Sequence, residues 1–102
     1  MNRITIEQVK VAYEKTGLTP IRGTLEFGEG CPVDALLAER GVTDCHSGYS
    51  AADALDVSPL YIRGFIDGVD GNKNGCRADN PAYHLGYIDG AAVAAELFGE
   101  AS

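Results

Sequence analysis

The sequence predicts a compact, mainly α-helical bundle of about five short helices with at most a minor β-ribbon. Two observations support this fold class. Residues that begin and end helices recur along the chain, and the apolar residues between them follow the helical period. In addition, a pattern of eight residues occurs twice in the C-terminal half. A chain of 102 residues has room for one hydrophobic core and is too short for a two-domain enzyme.

The first helix is predicted to begin after Thr5 and to end near Thr16. Thr5 and Gln8 match a capping box, in which each side chain satisfies a free amide at the helix start. Gly17 is typical of the residue that follows a helix C-terminus. Three apolar residues fall on one face of this helix: Ile6, Val9 and Tyr13.

The next segment is less regular. Residues 24–27 alternate in polarity like a short strand, and four residues form at most a small ribbon. Pro32 then begins a second helix over residues 33–40, because proline is favoured at the first helical position. Gly41 is expected to end this helix.

Three further helices follow. Ser50 is expected to cap a short third helix over residues 51–56. Ser58 and Asn80 each precede a proline, and such pairs combine a capping side chain with a residue suited to the first helical position. These two pairs begin the predicted fourth and fifth helices, residues 59–70 and 81–98.

An internal repeat lies in the last two helices. Residues 61–68 and 83–90 are identical at five of eight positions and lie 22 residues apart. In each copy two aromatic residues and two glycines form one stripe of the helix. These residues are Tyr61, Gly64, Phe65 and Gly68 in the first copy, and Tyr83, Gly86, Tyr87 and Gly90 in the second.

Glycine inside a helix costs about 1 kcal/mol relative to alanine, so the four glycines require a compensating contact. The expected contact is an antiparallel helical hairpin in which the rings of one helix cover the glycines of the other. The hairpin, residues 58–102, is predicted to form the core of a single domain, residues 1–102. The helices of residues 1–57 are predicted to pack around it.

Asp67 and Asp89 occupy equivalent positions beside this stripe. Two carboxylates related by the repeat are one candidate for an acid/base pair. The alternative, which we favour, is that each accepts hydrogen bonds from a neighbouring helix start, or that Asp67 pairs with Arg63 one turn away.

The first copy with its following glycine, a polar loop containing Cys76, Asn80-Pro81 and the second copy together resemble the helical hairpin of the ribosome modulation factor superfamily. The resemblance covers about 40 of the 102 residues and implies a small ribosome-associated factor that binds ribosomal RNA. The whole chain is also similar to small bacterial proteins of no assigned activity. The shared features are a turn over residues 17–20, the Cys31-Pro32 pair and the repeat.

The charge of the chain is strongly acidic. With 15 acidic and 8 basic residues, the net charge is −7, and neither half provides a basic arm. Such a chain repels phosphate backbones, which argues against a nucleic-acid partner. There is no apolar stretch of membrane-spanning length, and an acidic residue at position 7 is atypical of a signal peptide. These features predict a cytoplasmic protein without a membrane partner.

The loop between the repeat helices carries a candidate calcium site. Asp70, Asn72 and Asn74 lie at positions 1, 3 and 5 of a loop with glycine at position 6, as in the first half of an EF-hand. Asp79 could supply a late carboxylate, but Pro81 stands where the bidentate glutamate should be. The sequence therefore leaves two interpretations open, a weak calcium site and an ordinary turn, and the ordinary turn is favoured.

Cysteine chemistry is the remaining candidate for activity. Cys31, Cys45 and Cys76 form an odd set without close spacing, which indicates free thiols. Cys31 with His46 is a candidate nucleophile pair, and the three cysteines with His46 are a candidate zinc set. Nothing in the sequence places the Cys31 and His46 side chains together, and the zinc set lacks a Cys-x-x-Cys pair.

The sequence thus predicts a non-enzymatic protein-interaction or regulatory module, without a resident cofactor. A homodimer is one expectation, because alanines at residues 91–95 give the last helix a smooth face. The alternatives are a weak calcium-binding helix-loop-helix protein and a ribosome-associated factor.

Overall fold

The computed structural model describes residues 3–19, 32–42, 48–71 and 79–99. Within these ranges the chain forms five helices and no strand, which confirms the mainly α-helical prediction. The ribbon expected at residues 24–27 lies outside them. The helices are α1 (Ile6–Thr16), α2 (Pro32–Glu39), α3 (Gly48–Leu55), α4 (Pro59–Asp70) and α5 (Pro81–Phe98).

The predicted helix ends are largely confirmed. Thr5 and Gln8 form the capping box, with N–H···O distances of 2.9 and 3.2 Å. Gly17 ends α1 in the left-handed conformation, at φ 71°. The Asn80 side chain accepts hydrogen bonds from the amides of Ala82 and Tyr83, at 3.0 and 3.3 Å, and so caps α5.

One capping prediction is wrong, and a second is confirmed in its position but not in its hydrogen bond. Ser50 lies inside α3, because this helix begins two residues earlier, at Gly48. Ser58 is the N-cap residue of α4 as predicted and has the extended backbone of that position, but its side chain makes no capping hydrogen bond. Pro59 alone accounts for this helix start, because its φ is already helical and it has no amide hydrogen to satisfy.

A single hydrophobic core joins the helices. The pair α4–α5 makes the most extensive helix–helix contact, α1 packs on α2, and α3 packs on α4. Tyr61, Phe65 and Tyr83 of the repeat are fully buried, so the repeat lies at the centre of the bundle. All five helices contribute to one buried apolar cluster, which includes Val9, Leu37, Ala51, Ile62 and Val93.

The two repeat helices run parallel, and the predicted antiparallel hairpin is wrong. A Cβ atom added at Gly64 would collide with the Tyr83 carbonyl, and one added at Gly68 would collide with the Tyr87 carbonyl. A step of four residues along α4 is therefore matched by a step of four in the same direction along α5. Antiparallel helices would reverse that order.

The glycines allow the two backbones to touch. Gly86 faces the carbonyl of Tyr61 as Gly64 faces the carbonyl of Tyr83, so the contact is reciprocal. Gly90 repeats it one turn later, against the carbonyl of Phe65. Backbone thus fills the space that we expected the rings to cover. Small residues spaced by four allow such close approach, and Cα–H···O contacts accompany it.

Candidate functional site

The polar residues of the repeat bind each other across the α4–α5 interface. Tyr83 donates a hydrogen bond to Asp67, and Tyr61 donates an equivalent bond to Asp89. In each case the tyrosine of one copy meets the aspartate of the other. The repeat is therefore symmetric in its polar contacts as well as in its glycines.

The Tyr83–Asp67 bond lies in the interior. Its O···O distance is 2.6 Å, and the Asp67 residue is 5% exposed. A buried carboxylate is costly unless hydrogen bonds satisfy it. The Tyr83 hydroxyl supplies such a bond, which accounts for an acidic residue in the centre of an apolar helix pair.

The Tyr61–Asp89 bond has two additional partners from the start of the chain. The Tyr61 hydroxyl accepts a hydrogen bond from the Ile4 amide at 2.7 Å. Asp89 accepts two from the Arg3 guanidinium, at 3.0 Å from Nε and 2.7 Å from Nη2. This second pair therefore holds residues 3 and 4 against the helix pair, and the two halves of the repeat differ in what they bind.

The environment of this second pair shifts two pKa values. Burial raises the pKa of the Tyr61 hydroxyl, and the hydrogen bond that it donates to Asp89 raises it further. The hydrogen bond to Asp89 raises the pKa of Arg3, and the charge of Asp89 adds to this effect. The site thus favours a neutral tyrosine and a charged arginine.

These contacts correct the sequence interpretation of the two aspartates. We expected each aspartate to accept hydrogen bonds from a neighbouring helix start. Instead, each accepts a hydrogen bond from a tyrosine hydroxyl of the opposite helix. Arg63 does not form the expected ion pair with Asp67, and its buried Nε has no hydrogen-bond partner. Among the described hydrogen bonds, none joins Asp67 to Asp89. The role of Arg3 was missed, and only its position before a predicted helix start could have suggested it.

The side of α5 that faces away from the bundle is exposed and mainly apolar. We call it the outer face of α5; its residues are Pro81, His84, Ile88, Ala91, Ala92 and Ala95. Ile88 is 45% exposed, and Val11 on α1, at 40%, is the other exposed large apolar side chain in the described ranges. The run of small residues at positions 91–95 is therefore split between two sides of the helix. Val93 and Ala94 are buried in the core, whereas Ala91, Ala92 and Ala95 are exposed on the outer face.

The predicted calcium ligands are only partly described. Asp70 is the last residue of α4, and Asp79 directly precedes the cap of α5. Asn72 and Asn74 lie outside the described residues, so the calcium site stays a prediction. In the ranges that the structure describes, no three acidic, histidine or cysteine residues form a group suited to a metal ion.

The predicted thiol chemistry lies outside the described ranges as well, and it too stays a prediction. This applies to Cys31, Cys45, His46 and Cys76. His84, expected to be a partly exposed residue in the middle of the last helix, is exposed on α5.

None of the described helices combines the length and the apolar character needed to cross a bilayer.

No family model, curated protein or solved structure matches the chain. The resemblance of the repeat to the ribosome modulation factor superfamily therefore stays an expectation from sequence.

Proposed function

We propose that this chain is a small acidic protein-interaction module without enzymatic activity, that its binding surface is the outer face of α5, and that a second copy of the chain binds there. The observation that carries the proposal is an 18-residue helix whose solvent side bears no lysine, arginine, aspartate or glutamate except Glu96 at its edge; His84 is the other polar side chain there. A surface helix normally presents charged residues to water. This helix presents apolar ones.

Both acidic side chains of α5 form ion pairs with residues outside this helix. The helix has two acidic residues, Asp89 and Glu96. Asp89 binds Arg3, and Glu96 binds Lys10 of α1 at 3.1 Å. Both acidic groups are thus directed toward the N-terminal part of the chain, which leaves Ile88 and the alanines as the centre of the outer face.

The composition of the face favours a second copy as its partner. Two chains of net charge −7 repel each other over most of their surfaces. The repulsion is weakest where neither copy carries charge, and α5 provides such a region. Alanine side chains also allow two helices to approach closely, so that Ile88 of each copy can be buried in a symmetric contact.

The polar groups of the repeat support a non-enzymatic role. Tyr61, Tyr83, Asp67 and Asp89 are the polar groups most deeply placed in the helix pair, and all four are engaged in the contacts that join α4 to α5. We therefore propose that they serve helix packing and not turnover of a substrate.

Sedimentation velocity over a range of protein concentrations tests the proposal. The parent chain should sediment as a dimer at high concentration, and Ile88→Glu should sediment as a monomer. Val11→Glu is the matched control, because it places the same charge at a similarly exposed apolar site on α1 and should leave the dimer intact. A parent chain that is monomeric throughout, or equal effects of both variants, would contradict a dimer formed through α5.

A further inference from the structure

The outer face of α5 has a histidine near its centre. His84 is exposed and lies four residues before Ile88, so the two side chains are neighbours on the same side of the helix. Histidine is the side chain whose charge ordinarily changes between pH 5 and 8. In this pH range, a positive charge therefore appears beside the exposed large apolar side chain of the outer face.

His84 has no charged partner in the described part of the chain. None of the described ion pairs includes it. The two acidic residues of its own helix, Asp89 and Glu96, bind Arg3 and Lys10. Both carboxylates are thus directed toward the N-terminal part of the chain and are already neutralised there.

The helices packed on α5 supply no partner for His84 either. Asp67 of α4 is buried and accepts its hydrogen bond from Tyr83. Tyr87, three residues after His84, is the other titratable residue near it on α5, and tyrosine hydroxyls are neutral between pH 5 and 8. Among the described contacts, none joins His84 to any charged residue of α4 or α1, which are Arg63, Asp67, Asp70, Glu7, Lys10, Glu14 and Lys15.

The proposed dimer removes His84 from water. When Ile88 is buried against a second copy, the side chain one turn away is covered with it. A neutral imidazole tolerates such burial, whereas an imidazolium loses its hydration. The outer face of the second copy offers no carboxylate in return except Glu96 at its edge.

The direction of the partner helix does not change this conclusion. In a parallel pair of α5 helices, the two copies of His84 face each other, and two imidazolium groups repel. In an antiparallel pair centred on Ile88, each His84 lies at the level of Ala92 of the other copy, which provides no charge. Protonation of His84 weakens the contact in both arrangements.

We infer that the homodimer is pH-sensitive and that protonation of His84 separates its two copies. The inference rests on the proposed function, because a second copy is what buries His84. The monomer takes up protons at His84 more readily than the dimer does, so the dimer is favoured at the alkaline end of the histidine range and is lost as the pH falls through it. The total charge has the opposite effect, because acid reduces the net charge of −7 and the repulsion between copies.

Sedimentation velocity of the full chain at about pH 8 and about pH 5.5 tests this inference. Each dimer buries two copies of His84, so an effect of about threefold per copy raises the dissociation constant of the parent dimer about tenfold in acid. His84→Gln keeps a polar side chain that does not titrate, and it should remain dimeric at both pH values. His46→Gln removes the other histidine of the chain and should respond to pH as the parent does.

The outcomes separate the dimer from its regulation. A parent chain that is monomeric at about pH 8 contradicts both. A parent chain that dimerises equally or more tightly at about pH 5.5 overturns the pH response and leaves the dimer intact. A His84→Gln variant that still dissociates in acid, or a His46→Gln variant that does not, overturns the assignment to His84. His84→Ala is a second variant that does not titrate, for use if His84→Gln weakens the dimer at about pH 8, and circular dichroism distinguishes dissociation from unfolding.

Discussion

The Tyr83 hydroxyl donates a hydrogen bond of 2.6 Å to the buried carboxylate of Asp67, across the interface between two parallel helices. The same contact recurs between Tyr61 and Asp89, with the roles of the helices exchanged. Between these two bonds, glycines bring the helix backbones into contact. The eight-residue sequence repeat, whose copies lie 22 residues apart, is thus also a repeat of contacts between α4 and α5.

Replacing Gly86 with alanine should destabilise the fold. Alanine ordinarily stabilises a helix relative to glycine by about 1 kcal/mol. At this position its Cβ would collide with the Tyr61 carbonyl, so we expect a net loss of about 1–3 kcal/mol in the free energy of unfolding. Urea denaturation measures the change.

The control for that substitution is Ala95→Gly on the exposed side of the same helix. It should cost about 1 kcal/mol, the ordinary difference in helix propensity. A Gly86→Ala variant that is more stable than the parent chain would show that the backbones are not in contact there.

Removing the Tyr83 hydroxyl should also destabilise the fold. Tyr83→Phe leaves the buried Asp67 carboxylate without this donor, and we expect a loss of about 1–3 kcal/mol. The double variant with Asp67→Asn should lose less than the sum of the two single variants, because the two groups act together. Additive losses in urea denaturation would indicate that the bond contributes nothing.

Alkaline pH should weaken the fold through Tyr61. Its pKa is raised in the folded chain above the ordinary value of 10.0, so the unfolded chain loses this proton first. The stabilisation is therefore complete below about pH 10 and declines as the pH rises above it. Thermal unfolding at increasing pH should show a steeper loss in the parent chain than in Tyr61→Phe. Parallel curves for the two proteins would contradict this assignment.

The Arg3–Asp89 ion pair should matter more than the Lys10–Glu96 pair. Arg3 binds Asp89 through two hydrogen bonds, and the Asp89 side chain is 13% exposed, whereas both partners of the second pair are more than half exposed. Exposed pairs contribute little. We therefore expect Arg3→Gln to lower the melting temperature more than Lys10→Gln does at low salt. Equal decreases in the melting temperature would show that the Arg3–Asp89 pair contributes no more than an ordinary exposed ion pair.

Local signals in the sequence predict the helices well. The capping box at Thr5, the glycine at position 17 and the Asn80-Pro81 pair each determine a helix end through atoms close in sequence. Ser58 shows the limit of such signals, because its side chain makes no capping bond although its residue type favours one.

The direction of the helix pair is not a local property. A symmetric repeat is compatible with a twofold axis either along the helices or across them, and both place glycine beside glycine. The ten residues between Asp70 and Pro81 provide enough chain length for either arrangement. Which tyrosine binds which aspartate depends on whether the helices run parallel or antiparallel. The residues of the candidate site could therefore be predicted from the sequence, but their pairing could not. The contact of Arg3 with Asp89 was missed for the same reason, since it joins residues that are distant in sequence.

The most direct test of the parallel, glycine-mediated helix pair is a nuclear Overhauser spectrum of the isotope-labelled chain. The α-protons of Gly64 should show contacts to Tyr83 and Tyr87, and those of Gly68 should show contacts to Tyr87 and Ala91. Contacts that advance together along both helices are the predicted result. Contacts in the reverse order, with Gly64 near Gly90 and Gly68 near Gly86, would contradict the account.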